Sequence, residues 1–178
     1  GLTVALQKYG TMPLARVMAP AIRLAEEGFI VSPTLSGVVV DNFEAIGRNE
    51  ALASIILPGG LPIEAGATLK NPALGASLRK IAAGGADVFY RGELAAAIVK
   101  EMAASGGRIT SADLAAYKEI ERAPVRGEYR GYDIVSAPPP VGGATLIEIL
   151  HILGHFDFSK EAPLSARYVH LAAEAMKR

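Results

Sequence analysis

The chain has 178 residues, enough for one domain with a sizeable core, and 51% of them are hydrophobic, which is typical of a folded protein. Lys plus Arg and Asp plus Glu number 18 each, so no net charge would attract nucleic acid or an anionic membrane surface. The absence of cysteine excludes disulfides, thiolate metal sites and a cysteine nucleophile. No apolar run approaches the roughly 20 residues that a membrane-spanning helix needs.

Apolar residues at helical spacing dominate the first part of the chain. Over residues 14–27 they fit one helix face, and Pro20 predicts a short helix before it and a second helix that starts near it. Gly28 is predicted to end this segment. Residues 33–46 predict a weaker helix, and the Gly- and Pro-rich stretch 58–72 predicts a loop.

The helical pattern becomes clearer in the middle of the chain. Apolar residues predict helices over 74–82 and 94–102, and a pair of glycines ends each of them. Thr110 with Asp113 resembles an N-cap with an acidic partner, which predicts a further short helix.

The pattern then changes from helix to strand. Residues 125–136 alternate in a way that predicts two strands around a turn at Arg130-Gly131, and helices are predicted after Gly143 and over 165–177. Two strands alone are marginally stable in water, so this pair is expected to belong to a larger sheet.

These elements predict an α+β, helix-rich fold with one strand pair, organised as a single partial domain over residues 1–178. Within it we expect a helical lobe at about 1–118, the strand pair at about 120–137 and helices at about 143–178. The sequence begins without Met, and we expect both ends to be cut or trimmed.

Glu148, His151 and His155 have the spacing of a candidate metal site on the helix after Gly143. The alternative is a solvated outer face, because the three lie opposite a predicted apolar stripe of Leu146, Ile149, Leu150 and Leu153. We favour the solvated face and expect no metal site and no cofactor.

The corner from Pro138 to Gly143 leads from a strand into a helix. A glycine corner at a helix N-terminus can bind an anion through its N–H groups. No Lys with Ser or Thr follows, as a phosphate-binding loop would require, so a tight structural connection is favoured.

A serine nucleophile is the remaining candidate chemistry. No serine lies in a Gly-x-Ser-x-Gly elbow, although a triad assembled from distant positions stays open. The serines are Ser32, Ser36, Ser54, Ser77, Ser105, Ser111, Ser136, Ser159 and Ser165. The residues by themselves indicate no convincing active site.

Four ordered blocks resemble the large-subunit sequence of gamma-glutamyltransferases. They are KYGTMPL running on to APAIRLAEEGF (8–29), GADVFYRG (85–92), GGRIT with DLAAY (106–117) and PVRGEYRGY through PPP to GG (124–143). The helix from His170 to Arg178 is similar to a further segment of that subunit. Val141 departs from the pattern, because the family usually has two serines before the glycines; a polar role for this corner is therefore disfavoured.

The resemblance implies an internal piece of the large subunit of an N-terminal-nucleophile hydrolase with an αββα core, exported to the periplasm or secreted. Such enzymes are precursors that cut themselves into two subunits, and the new N-terminal Thr attacks gamma-glutamyl amides such as glutathione. Its α-amine can serve as the base for its own hydroxyl group. Water or an amino acid then accepts the glutamyl group.

The resemblance places the catalytic Thr beyond Arg178 and the donor-binding Arg before Gly1, so no catalytic or substrate-binding residue is assigned here. The isolated chain is expected to be inactive, with the rest of the large subunit and the small subunit as its partners and with some self-association. A cephalosporin acylase or capsule depolymerase of the same fold, or a non-catalytic helical binding module, are the alternatives.

Overall fold

The computed structural model describes residues 1–177; Arg178, the end of the last predicted segment, lies outside them. The described chain is helix-rich with two small antiparallel sheets, and it divides into two compact units, Gly1–Glu119 and the residues from Ile120 onward. No helix among the described residues is both long and apolar enough to cross a membrane.

The first unit contains nine α-helices, one short 3-10 helix (Pro58–Gly60) and two strands among its described residues. The helices are α1 (Leu2–Tyr9), α2 (Leu14–Glu27), α3 (Pro33–Asp41), α4 (Phe43–Gly47), α5 (Glu50–Ile56), α6 (Pro72–Gly84), α7 (Ala86–Tyr90), α8 (Glu93–Ala104) and α9 (Ser111–Ala116). The strands are β1 (Phe29–Ile30) and β2 (Thr68–Leu69).

Helix α2 runs through Pro20 without a break, so the predicted division into two helices is wrong. Proline removes one hydrogen bond and typically costs about 3 kcal/mol inside a helix. Burial of Ile22 and Ala25 on the face that packs against α6 offsets this cost. The helix ends as predicted at Gly28, whose φ of 94° favours glycine.

A second strand pair follows α2 and was not predicted. Phe29 pairs with Leu69 and Ile30 with Thr68 in an antiparallel register. The prediction of one strand pair is therefore wrong. The predicted loop over 58–72 is mostly irregular, but it contains the short 3-10 helix and β2. Two-residue strands carry no alternation that a sequence pattern can reveal.

A cluster of buried hydrophobic residues in the first unit includes one residue each of α3 and α4 and residues of the segments around them. It consists of Val31, Val39, Ile46, Leu57 and Ile63. The helix predicted over 33–46 is divided at Asn42, whose side-chain amide donates to the carbonyl of Val38 at 2.8 Å and so ends α3.

The predicted helices in the middle of the chain are confirmed as α6 and α8. The predicted cap of α9 is also confirmed, because the Thr110 N–H donates to the Asp113 carboxylate at 2.8 Å and the Asp113 N–H donates back to the Thr110 hydroxyl. The Thr110 hydroxyl also donates to the Asp113 carboxylate, at 2.6 Å. This bond, together with the bond from the Thr110 N–H, lowers the pKa of Asp113.

The second unit contains the predicted strand pair, β3 (Val125–Tyr129) and β4 (Tyr132–Ser136), in register from Val125↔Ser136 to Tyr129↔Tyr132. Arg130 and Gly131 form the turn with φ values of 53° and 82°, as a two-residue hairpin requires. The Arg130 guanidinium donates to the Phe156 carbonyl at 3.0 Å and lies over the Phe158 ring. This prediction is confirmed.

Helices α10 (Gly143–Gly154) and α11 (Ala166–Met176) complete the second unit, and α10 packs on β3. The predicted apolar stripe of α10 is partly wrong, because Leu146 is 45% exposed and Ile147 is buried. Ile147 lies against Gly127, where an added Cβ would be 2.5 Å from its Cγ2 atom. The glycine on β3 therefore sets which face of α10 is buried.

Candidate functional site

The three candidate metal ligands of α10 are exposed to solvent. The helix ends at Gly154, so His155 is the C-cap residue rather than part of the helix face. Among residues 1–177, no group of three or more His, Asp or Glu side chains is placed to hold a metal ion. Glu148 and His151 thus lie on a solvated face of α10, and His155 is exposed just beyond the end of the helix.

We expect purified chain to retain no stoichiometric zinc after dialysis, because two exposed histidines without a fixed third ligand bind the metal weakly. A His151→Ala variant should give the same metal content by atomic absorption. Stoichiometric zinc in the parent chain that is lost in this variant would contradict the expectation.

The strand-to-helix corner is sterically tight. Gly142 caps α10, and Gly143 is buried where an added Cβ would overlap the Ala137 carbonyl oxygen and lie 2.8 Å from the Ser136 hydroxyl oxygen. The Arg122 guanidinium donates to the Pro139 carbonyl at 2.7 Å. The glycine is needed for close backbone approach, which supports the structural interpretation of this corner.

Most of the candidate serines bind the backbone. Ser32 and Ser165 accept hydrogen bonds as helix N-caps. The hydroxyl groups of four others donate to carbonyl groups, and these are Ser36, Ser54, Ser77 and Ser105. The Ser36 bond reaches the distant Ile63 carbonyl, and the other five are those of caps and helix turns. None of the six is a bond to a histidine, as a serine–histidine pair would require.

An ion pair with two hydrogen bonds joins α2 to α6. Both carboxylate oxygens of Glu26 accept from the Arg79 guanidinium, at 2.6 Å from Nε and 2.5 Å from Nη2. Gly75 lies beneath the pair, where an added Cβ would be 2.5 Å from Glu26 Cγ. A groove of about 610 Å³ lies beside this ion pair, between the two helices.

The Glu26–Arg79 pair predicts a dependence of stability on pH. The hydrogen bond from Arg79 lowers the pKa of Glu26, so the ionised carboxylate stabilises the fold above its unfolded pKa and this contribution is lost as the pH falls. We expect the urea midpoint of the Glu26→Gln variant to fall less between pH 7 and pH 3 than the urea midpoint of the parent chain.

The matched control is Glu44→Gln, which changes an exposed carboxylate on α4. Its urea midpoints should fall with pH as steeply as those of the parent chain. Equal pH dependence in Glu26→Gln and the parent would show that the pair does not stabilise the fold.

Comparison with known proteins identifies the family. The family model described as gamma-glutamyltranspeptidase matches residues 1–178. The chain belongs to the gamma-glutamyltranspeptidase family. The resemblance predicted from the four sequence blocks is thereby confirmed.

Several relatives in the family are similar over almost the whole chain. The acylase ACY 1 proenzyme of Pseudomonas sp. (strain SE83) is 46% identical over 99% of this chain, and the glutathione hydrolase proenzyme of Escherichia coli (strain K12) is 44% identical over 99%. The chain spans 32% and 31% of their lengths, about a third of the curated relatives it matches.

Two solved structures of similar proteins superpose on the fold of this chain. The gamma-glutamyltranspeptidase of Helicobacter pylori superposes with a TM-score of 0.93 at 36% identity, over 99% of this chain and 51% of that one. The Bacillus anthracis transpeptidase CapD gives 0.85 at 34% identity, over 99% and 61%. The helix-rich segment is therefore shared with these two proteins.

Sequence reasoning missed the Glu26–Arg79 pair. The two residues are separated by 53 positions, and no local pattern connects them. The only local signal is Gly75 inside α6, since a glycine within a helix frequently marks a close approach.

Proposed function

We propose that this chain is a structural segment of the large subunit of an enzyme that cleaves gamma-glutamyl amides such as glutathione and transfers the glutamyl group to water or an amino acid. The observation that carries the proposal is the family match over residues 1–178, together with 44% identity to a glutathione hydrolase proenzyme. The name proenzyme supports a precursor that is cut into subunits.

The finer fold assignment belongs to the same proposal. The two units are parts of one incomplete domain of an αββα N-terminal-nucleophile hydrolase, completed by the rest of the large subunit and by a small subunit that begins with the nucleophilic Thr. Support comes from the likeness to two solved members of the family. In this arrangement residues 1–178 supply scaffold and leave the chemistry to other parts of the protein.

An acylase is the second candidate, because the ACY 1 proenzyme is 46% identical to the chain. The two assignments differ in the acyl group that is accepted, and either reaction could pass through an acyl-enzyme. The similarity to this chain, 46% against 44%, is too even to separate them.

The test is an assay of the full-length protein encoded by the complete gene. We expect it to release the amine from a gamma-glutamyl anilide, and to do so faster than from a glutaryl amide. The reverse preference would favour the acylase. Activity on neither substrate, from protein that has been cut into two subunits, would contradict both assignments.

The strand pair leads to a prediction about assembly. Within residues 1–177, β3 and β4 pair only with each other, and Val135 is 53% exposed on β4. An unpaired strand edge promotes association with a second chain. We expect the isolated chain to self-associate, with a sedimentation coefficient that rises between micromolar and tenfold higher concentration.

A Val135→Lys variant is the control for this prediction, since a charge on an edge strand opposes pairing. It should sediment as a monomer at both concentrations. A parent chain that is also monomeric at both, with the Ile134 and Val135 amides strongly protected from exchange, would show that the edge is covered.

A further inference from the structure

The groove between α2 and α6 has a floor of small residues and, along its edge, two arginines that form no ion pair. The floor is formed by Ala15, Ala19, Ala82 and Ala83, and the groove holds about 610 Å³. Arg16 and Arg23 stand on its α2 side. The two positions are seven residues apart, so they share one face of the helix about 10 Å from each other.

The charges of the groove are not balanced within the described chain. The Arg79 guanidinium donates to both carboxylate oxygens of Glu26, so these two charges neutralise each other. Among residues 1–177, neither Arg16 nor Arg23 forms an ion pair, and both are exposed. Glu27 also lines the groove, so its five charged side chains carry three positive and two negative charges.

The length of the relatives indicates where a partner for this surface comes from. The chain spans 32% of the ACY 1 proenzyme, so about two thirds of such a protein lies outside the described segment. A groove floored by alanines admits a close-packed helix or extended strand, because small side chains let backbones approach.

The geometry points to a docking site for another segment of the same polypeptide, one that carries two carboxylates about 10 Å apart beside small apolar residues. Arg16 and Arg23 bind these carboxylates, and the segment covers Ala15, Ala19 and Ala82. This inference rests on the proposal that the chain is part of a longer protein, and it assigns the α2–α6 groove to intramolecular packing.

The test uses the full-length protein with a photocrosslinking p-benzoylphenylalanine at Ala19 on the groove floor. After irradiation, mass spectrometry should find the link on a peptide of the same polypeptide that lies outside residues 1–178 and contains Asp or Glu. The same crosslinker at Ala104, on the exposed side of α8 outside the groove, should not link to that peptide.

Charge reversal tests the role of the two arginines. Arg16→Glu with Arg23→Glu should lower the crosslink yield at least fivefold, whereas Arg108→Glu, outside the groove, should leave it unchanged. A link to a second copy, links confined to residues 1–178, no link at all, or a yield insensitive to charge reversal would each overturn the inference. The crosslink does not depend on the substrate, so its outcome is separate from that of the anilide assay.

Discussion

Purified protein of residues 1–178 is expected to release no chromogenic amine from a gamma-glutamyl anilide above the blank. Under the proposed function, both the nucleophilic Thr and the donor-binding Arg belong to parts of the protein outside this segment. In the described chain, Ser36 and Ser77 donate to backbone carbonyls, and His151 and His155 are exposed. Because enzymes accelerate reactions at least about 10⁶-fold, removal of the nucleophile should abolish the signal.

The full-length protein, assayed in the same buffer, is the positive control. It should be active after it has been cut into subunits, and adding the isolated chain to it should not increase the rate. Amine release by the isolated chain, in proportion to its concentration and through two further purification steps, would show that residues 1–178 contain a nucleophile after all.

Local signals explain which elements the sequence predicts correctly. Helices α6 and α8 have apolar residues at helical spacing, and α6 ends at a glycine pair while α8 ends two residues before one. The β3–β4 turn contains Arg130-Gly131. In each case the determinants lie within a few residues of one another. The failures have another origin: α2 continues through Pro20 because α6 packs against it, and that contact is between distant parts of the chain.

The site shows the same division between local and distant determinants. The exposure of Glu148 and His151 follows from helix periodicity on α10, and the sequence predicts it, whereas His155 lies just past the end of the helix. The Glu26–Arg79 pair and the groove beside it depend on how two helices pack, so no pattern along the chain reveals them. The buried face of α10 likewise depends on Gly127 in β3.

The second large effect is expected at the corner between β4 and α10, where two neighbouring glycines have different surroundings. An added Cβ at Gly143 would overlap the Ala137 carbonyl oxygen, which is backbone and can move only with the end of the strand. At Gly142, nothing lies within 4 Å of an added Cβ, and φ is −76°. Any L-residue adopts that backbone conformation.

Gly143→Ala should therefore destabilise the protein by about 3 kcal/mol, the upper part of the range for overpacking in a closed site. Gly142→Ala, its matched control, should be neutral or slightly stabilising, because alanine restricts the unfolded chain at a compatible position. The free energy of unfolding of Gly127→Ala should lie between those of the other two variants, because the Ile147 side chain that the added methyl group would contact can rotate away. Urea unfolding followed by circular dichroism measures all three. Equal midpoints for Gly142→Ala and Gly143→Ala would mean that the corner relaxes freely and that its glycines are not required for close packing.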